Sequence, residues 1–337
     1  MSSRLFGVGL SGTSITRSER EILQAYPCGA VILFRRNIES AEQTRGLTRE
    51  ISDLPGRPLL CVDEEGGAVD RFRDLLGPLI SFGRAAERGL CRRAGELAGE
   101  ACARLGFDVD LAPVVDRRLP GASETVLAER AAAGDPPAVA RAAKEFLDGL
   151  HSRGVGGCVK HFPGLGRASL DTHRELPVLP ADEEEMARDL APFKATMEDA
   201  GAVMISHAAG PDAVPASLSR GQTTGLLRGT LGFTGAAFSD DLEMGALAGF
   251  GGLPQRCAAA ARAGCDLLFV CSRTEAYAAC VETVTREVPE QRRDEAASRL
   301  ESYRRRLEGI RAAARIPDRP LAELITDIRG LGELSGL

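Results

Sequence analysis

A chain of 337 residues that is 44% hydrophobic and 27% charged has enough apolar residues for a large globular core. A formal charge of −6, no tryptophan and an aromatic content of 4% argue against a protein that binds nucleic acid through its phosphates or stacks single-stranded bases. The sequence shows neither a signal region nor an apolar run of membrane-spanning length. We therefore expect neither a nucleic-acid partner nor a membrane partner.

Short apolar runs recur along the chain, and each is followed by polar or glycine residues and then by a helical pattern. A run of about five hydrophobic residues is typical of a strand buried on both faces. About eight alternations predict an α/β fold of the (β/α)8 TIM-type barrel class, with an open doubly wound sheet as the alternative. The predicted strands are 5–8, 30–34, 59–62, 109–115, 157–159, 202–205, 236–238 and 267–270.

Amphipathic segments between these runs predict helices over 40–54, 84–105, 136–153 and 182–200. Ser40 and Asp182 are the predicted N-caps of two of them, because their short side chains can accept backbone N–H groups. The arginines of 292–306 alternate with acids and indicate a solvated helix face. We expect one domain over 1–337, with the last helix and the tail, about 290–337, packed outside the barrel.

Nine cysteines are scattered through the sequence without a Cys-x-x-Cys pair, so no zinc ribbon or thioredoxin-type site is indicated. Several lie in apolar runs, as Cys61 does, where a small buried side chain is expected. With no export signal, the chain is expected in the reducing cytoplasm. Nothing in the sequence indicates an oligomeric state.

Charged side chains follow the ends of the predicted strands. In a (β/α)8 barrel the active site lies at the carboxyl ends of the strands, so these groups would share one rim. Charges gathered there, above apolar strand interiors, are costly unless a ligand uses them. The rim residues are Asp63, Glu64, Glu65, Asp116, Lys160, His161, Ser206, His207, Ser239, Asp240 and Asp241.

The segment Lys160-His161-Phe162-Pro163-Gly164-Leu165-Gly166, followed by Asp171-Thr172-His173, gathers a cation, two imidazoles and a carboxylate. Asp171 can accept a hydrogen bond from one nitrogen of His173 and raise the basicity of the other, which suits His173 to acid–base catalysis. Metal binding by His161, Asp171 and His173 is a weaker alternative, because Lys160 would place a positive charge beside the cation.

Two carboxylates after predicted strands are further candidates. Asp240 directly follows the run 236–238 and could be a nucleophile, a general base or a metal ligand. The alternative is that Asp240 and Asp241 only cap the next helix. Asp63 follows the run 59–62, and Arg71 can reach the same space, although the two could equally pair only with each other.

These motifs, in this order, resemble glycoside hydrolase family 3. Within the family they are similar to the single-domain bacterial β-N-acetylglucosaminidases (β-hexosaminidases) that recycle cell-wall peptidoglycan. The resemblance implies a barrel enzyme that removes non-reducing terminal N-acetylglucosamine, with retention, from carbohydrates of the N-acetylglucosaminyl-muramic acid type. It implies no metal or organic cofactor. The motifs are Val62-Asp63-x-Glu65-Gly66-Gly67, the segment 160–166 with Asp171-x-His173, and Ser239-Asp240-Asp241-Leu242-x-Met244.

The resemblance also implies a role for each matched residue. Asp240 matches the nucleophile and His173 the general acid/base, with Asp171 as the partner of His173. The hydroxyls of the non-reducing sugar would be held by Asp63, Arg71, Lys160, His161 and Arg130, the last in surroundings that differ from the usual pattern.

One loop departs from the family pattern. The family often has Gly-His-Gly-Asp-Thr where this chain has Gly164-Leu165-Gly166-Arg167-Ala168, so the polarity and charge beside the site change at Leu165 and Arg167. This departure bears on substrate preference. A family 3 β-glucosidase, which the Asp171-x-His173 pair disfavours, and an N-acetylglucosaminide phosphorylase are the enzymatic alternatives. A sugar-binding module on a degenerate barrel is the non-enzymatic one.

Overall fold

The computed structural model describes residues 2–119, 127–168, 175–210 and 212–333. Within these ranges short strands alternate with helices, and every strand residue is buried, as expected for strands covered on both faces. The strands are β1 (Phe6–Gly9), β2 (Ala30–Leu33), β3 (Leu59–Val62), β4 (Val109–Asp110), β5 (Gly156–Gly157), β6 (Val159–Phe162), β7 (Ala202–Ile205), β8 (Ala236–Ser239) and β9 (Leu268–Val270).

These strands pair only in parallel, which confirms the predicted α/β class. One sheet has the order β5-β4-β3-β2-β1-β9 and the other the order β6-β7-β8. Only Cys158 separates β5 from β6, so the second sheet continues the line of the first. At the other edge, Phe238 of β8 makes a parallel bridge to Leu267, the residue before β9.

The helices follow the strands in the predicted alternation. Ser40 accepts from the backbone N–H of Gln43, and Asp182 from that of Glu185, which confirms both N-caps. The helices are α1 (Arg17–Ala25), α2 (Ala41–Ser52), α3 (Arg73–Leu76), α4 (Phe82–Arg88), α5 (Cys91–Leu105), α6 (Pro136–His151), α7 (Glu183–Ala200), the π-helix Gly221–Thr230, α8 (Leu253–Ala263), α9 (Tyr277–Glu287), α10 (Glu290–Ala313) and α11 (Leu321–Glu333).

Two predicted elements are wrong in extent. The helix predicted over 84–105 is two helices, because Gly89 adopts a left-handed conformation, with φ 66°, that ends α4. The strand predicted over 109–115 is continuous only at Val109–Asp110, although Val114 makes one further parallel bridge, to Lys160. Pro113 lies in the remainder and has no N–H to donate to a neighbouring strand.

One large apolar cluster joins the strand side chains to the inner faces of the surrounding helices. α10 packs against it through Tyr303 and Leu307, both buried, and the Tyr303 hydroxyl donates to the Gly157 carbonyl at 2.9 Å. In the part of the chain that the structure describes, no helix is both long enough and apolar enough to cross a membrane.

Candidate active site

A cavity of about 350 Å³ opens at the carboxyl ends of the strands, where the rim of charged residues was predicted. Its polar residues come from several strand ends, and its apolar wall includes Phe34, Met204, Met244 and Phe269. Six of the eight predicted site residues line it, namely Asp63, Arg71, Arg130, Lys160, His161 and Asp240. The other two, Asp171 and His173, lie outside the described residues.

Lys160 lies between two carboxylates. Its Nζ is 2.6 Å from Oδ1 of Asp63 and 2.5 Å from Oε1 of Glu65. Burial by itself lowers the pKa of Lys160, but the two carboxylates outweigh it and the pKa lies above its ordinary value. The ammonium is therefore charged at neutral pH and holds Asp63 in place at the edge of the cavity.

Arg130 also binds the Glu65 carboxylate. Its Nε and Nη2 donate to the two Glu65 oxygens at 2.8 and 3.0 Å, a bidentate pair. Burial by itself raises the pKa of Glu65, but Arg130 and Lys160 bring it well below its ordinary value. The pairing places Arg130 in the cavity, although its surrounding sequence is unusual for the motif.

Arg71 lies against Asp63 and Phe34. Its Nη2 is 3.7 Å from Oδ2 of Asp63, and its guanidinium carbon is 5.6 Å from the centre of the Phe34 ring. The Arg71 Nε is buried and has no hydrogen-bond partner among the described residues. Since Asp63 makes its short contact with Lys160, the predicted Arg71–Asp63 pair is loose and leaves Arg71 donors available to a ligand.

Asp240 follows β8 directly, lines the cavity and is partly buried. Burial raises its pKa, but His207, Lys160 and the backbone N–H of Asp241 outweigh this, so the pKa lies below its ordinary value. Asp240 is ionised at neutral pH. Its Oδ1 accepts that N–H at 2.8 Å.

The neighbouring Asp241 has a raised pKa, in contrast to Asp240. Burial and the negative charges of Glu243 and Asp240 raise the pKa of Asp241 to about 7. His207 is buried, with Nε2 2.8 Å from the Asp241 carbonyl and Nδ1 2.8 Å from the Ser217 hydroxyl. Two adjacent carboxyls therefore differ in their affinity for a proton.

The 160–166 segment enters the cavity with two consecutive side chains, Lys160 and His161. The pairing of β6 with β7 shifts register between Val159 and Phe162, so the strict alternation of a regular strand is interrupted there. Leu165 also lines the cavity and is buried.

Arg167 does not lie in the cavity, although the sequence placed its charge beside the site. Its Nε donates to Oδ2 of Asp189 on α7 at 2.7 Å, and its Nη1 donates to the Pro180 carbonyl at 2.9 Å. Arg117 reaches the same carboxylate through Nε at 2.8 Å. Arg167 thus ties the loop to α7, while Arg117 ties the segment that follows β4 to the same helix. The charge of Arg167 bears on the anchoring of the loop rather than on the charge of the cavity.

Residues 5–303 match the N-terminal domain of glycosyl hydrolase family 3. The chain belongs to glycosyl hydrolase family 3. A β-hexosaminidase of Stenotrophomonas maltophilia (strain K279a) is 38% identical to this family 3 chain over 278 residues, covering 78% of the chain and 82% of the relative. A β-hexosaminidase of Alkalilimnicola ehrlichii is 37% identical over 297 residues, covering 84% of each.

Solved structures of the family resemble this one closely. A family 3 β-N-acetylglucosaminidase from Paenibacillus sp. superposes with a TM-score of 0.86 at 28% identity, covering 99% of this chain and 68% of that protein. NagZ from Neisseria gonorrhoeae, in complex with N-trifluoroacetyl-D-glucosamine, superposes with a TM-score of 0.82 at 28% identity, covering 97% of each. The predicted family and its β-hexosaminidase branch are confirmed, and the family 3 chain is a glycoside hydrolase.

The residues that sequence reasoning left out of the site are Glu65, Asp116 and His207. Each carried a signal, since each follows a predicted strand and was counted among the rim residues. Their partners, however, are remote in sequence: Glu65 meets Arg130, Asp116 meets His161, and His207 meets the Asp241 carbonyl. Only the folded chain brings these pairs together.

Proposed function

We propose that this chain is a retaining exo-β-N-acetylglucosaminidase that removes non-reducing terminal N-acetylglucosamine from muropeptides. The observation that carries the proposal is the ionised Asp240 at the end of β8, in one cavity with Lys160, Arg130 and His161. The hexosaminidase relatives and the N-trifluoroacetylglucosamine bound by NagZ support the choice of sugar.

Asp240 has the character that a glycosidase nucleophile needs. An ionised, partly buried carboxylate can attack the anomeric carbon through an oxocarbenium-like transition state and form a glycosyl-enzyme ester. The aglycone leaves as its bridging oxygen takes a proton. In the second step the oxygen of a water molecule bonds to the anomeric carbon, the ester bond breaks, and Asp240 regains its charge.

We assign the proton transfers to His173, with Asp171 as the group that orients it. His173 would protonate the leaving oxygen and then take a proton from the incoming water. A neutral or cationic imidazole does not repel an anionic leaving group as a carboxylate would. That property suits muropeptides, whose muramic acid carries a lactyl carboxylate or its peptide extension.

Sugar recognition falls to the charged wall of the cavity. Asp63 can accept from sugar hydroxyls while Arg71, Arg130 and Lys160 donate, and the Lys160 contacts hold the acceptors in a fixed geometry. A cavity of about 350 Å³ lies at the small end of the range for ligand pockets and suits one terminal sugar. This size favours removal of single residues from chain ends.

The architecture and location are part of the same proposal. We infer that the two sheets form one closed (β/α)8 barrel, supported by the continuity of β5 with β6 and by the Phe238–Leu267 bridge. The barrel with its outer α10 and tail would make a single domain over 1–337. The nine cysteines are all free and buried, which supports a reducing cytoplasmic location.

The test compares nitrophenol release from the β-N-acetylglucosaminide and from the β-glucoside, by the wild type and by Asp240→Asn. We expect cleavage of the acetamido sugar to dominate and to disappear in the variant. Preference for the glucoside would overturn the assigned substrate. Product analysis with and without inorganic phosphate tests hydrolysis, since an enzyme that forms the sugar 1-phosphate is a phosphorylase.

A further inference from the structure

A second cavity, of about 690 Å³, lies at the opposite ends of β8 and β9 from the active site. Three elements surround it: the π-helix Gly221–Thr230, the end of α8 and the start of α10. A π-helix of this length is rare, and π-helical geometry is frequent at functional sites. We call this cavity the arginine groove, because five of its lining residues are Arg220, Arg228, Arg262, Arg292 and Arg299.

Three of these arginines converge on one buried carboxylate. Asp266 accepts from Arg228 at 2.7 Å, from Arg292 at 2.7 Å and from Arg299 at 3.3 Å. It also accepts the backbone N–H of Ala237 at 2.9 Å. The single negative charge of Asp266 therefore pairs with the positive charges of three guanidinium groups. The sequence pattern of 292–306 indicated a solvated face, and for Arg292 and Arg299 that interpretation is wrong.

Arg228 and Arg292 also donate to backbone carbonyls, Arg228 to Phe233 and Gly235 and Arg292 to Ala261 and Cys265, but each keeps one nitrogen without a partner in the part of the chain that the structure describes. The buried Nε of Arg228 and Nη1 of Arg292 have no hydrogen-bond partner among the described residues. Burial and the charges of Arg292 and Arg299 lower the pKa of Arg228, which reflects this crowding of positive charge. Buried donors without partners are uncommon and call for a ligand or another explanation.

Arg220 and Arg262 have more guanidinium donors available to a ligand than the three arginines around Asp266. The Arg220 side chain is exposed and forms no hydrogen bond or ion pair with a residue that the structure describes. Among the described residues, Arg262 makes hydrogen bonds only to Glu287, at 3.4 Å. The groove's five arginines face three carboxylates, Glu295 in the lining and Asp266 and Glu287 as partners, an excess of two positive charges.

We propose that the arginine groove binds a small phosphate-bearing molecule with at least two negative charges. Guanidinium groups approach from three elements, an arrangement that a tetrahedral anion with several acceptor oxygens satisfies better than a planar carboxylate does. Glu290 and Asp294 line an adjoining depression, which shares Gln291, Glu295 and Arg299 with the groove, and these two carboxylates would repel a long polyanion. The ligand class is therefore a phosphate ester or diphosphate of limited size.

The site is independent of the glycosidase chemistry. Asp240 follows the carboxyl end of β8, whereas Ala237 N–H, near the amino end, reaches Asp266 behind the groove. A ligand in the groove would not occupy the sugar cavity. Binding should survive the loss of the nucleophile.

The test titrates the full chain with inorganic pyrophosphate by calorimetry, at fixed ionic strength because exposed arginines are screened by salt. We expect saturable binding at one site, unchanged in Asp240→Asn. Replacing Arg220 and Arg262 together by Gln should weaken it roughly tenfold or more, since each removes a charge-assisted contact. The control, Arg88→Gln with Arg141→Gln, removes two exposed arginines that lie outside the groove and should bind as the wild type does.

Three results would overturn the proposal. One is the absence of saturable heat with pyrophosphate, and another is undiminished binding by the groove variant. The third is equally tight binding of citrate at the same ionic strength, which would make the site a carboxylate site. Circular dichroism of the groove variant checks that its weaker binding does not come from unfolding.

Discussion

The imidazole Nδ1 of His161 lies 2.7 Å from Oδ2 of Asp116. On the other side of the ring, Nε2 is 3.3 Å from Nη2 of Arg130. A guanidinium can only donate, so in this arrangement Nε2 accepts and Nδ1 carries the proton. Asp116 therefore selects the tautomer of His161 and with it the hydrogen-bonding character of the cavity wall.

Asp116→Asn tests this relationship. The Asp116 carboxylate also accepts the backbone N–H groups of His161 at 3.1 Å and Leu165 at 2.7 Å, and an amide cannot accept all three bonds. We expect KM for the nitrophenyl N-acetylglucosaminide to rise roughly tenfold, with a smaller change in kcat, because ground-state binding is lost. Steady-state kinetics measures both. An unchanged KM would contradict the role given to Asp116.

Lys160→Met should destabilise the fold as well as the site. It leaves the carboxylates of Asp63 and Glu65 without the ammonium between them, and breaking a buried ion pair costs about 3–5 kcal/mol. Urea unfolding gives the free energy of unfolding. Lys144→Met is the matched control, since Lys144 pairs with Asp199 on the surface and should contribute at most about 1 kcal/mol. Equal losses in the free energy of unfolding for the two substitutions would contradict a stabilising role of the buried Lys160 ammonium.

The anchoring of the loop 164–168 to α7 is tested by a double-mutant cycle. We expect Arg167→Gln and Asp189→Asn to show a coupling energy of roughly 1–3 kcal/mol in unfolding experiments, because their ion pair is buried. The exposed Arg17–Glu21 pair of α1 provides the comparison and should couple by only about 0.3–0.5 kcal/mol. A coupling energy near zero for Arg167 and Asp189 would contradict the conclusion that their ion pair anchors the loop to α7.

Asp241 gives a pH prediction. Its pKa is raised to about 7 in the folded chain, against about 3.9 in an unfolded one. The folded state binds this proton more tightly, so the stability it contributes is fully present below the unfolded pKa and is lost as pH rises through the folded pKa. Between pH ~4.5 and ~7.5 the free energy of unfolding of the wild type should fall by roughly 3 kcal/mol relative to Asp241→Asn.

Urea unfolding across this pH range measures the difference. Asp53→Asn, at the exposed end of α2, is the control and should run parallel to the wild type. A parallel course for Asp241→Asn would mean that Asp241 is ionised in the fold throughout.

The sequence predicted those elements whose limits depend on interactions between residues close together in the chain. β7 matches the predicted run at both ends, because four apolar residues lie between polar or glycine boundaries. α1 was not predicted, although Thr16 and Glu19 form a capping box there. Its apolar residues are too few to give a clear periodic signal. The break at Gly89 depends on a left-handed conformation that periodicity does not report.

In the candidate site, too, the sequence predicted some residues and missed the contacts that depend on tertiary packing. Asp63, Lys160 and Asp240 could be placed from their positions at strand ends, and all three line the cavity. The direction of Arg167 depends on Asp189, which lies 22 residues away on α7. The convergence on Asp266 depends on Arg228, 38 residues before it, and on Arg292. Contacts of this kind come from the packing of whole elements and leave no periodic trace in the sequence.

The anomeric configuration of the first sugar released tests the covalent intermediate on Asp240 most directly. Proton NMR of the reaction with the nitrophenyl β-N-acetylglucosaminide, recorded before mutarotation, distinguishes the two anomers. Double displacement through Asp240 predicts the β-anomer first, with no product from Asp240→Asn. Initial release of the α-anomer, or retained turnover by the variant, would contradict a covalent intermediate on Asp240.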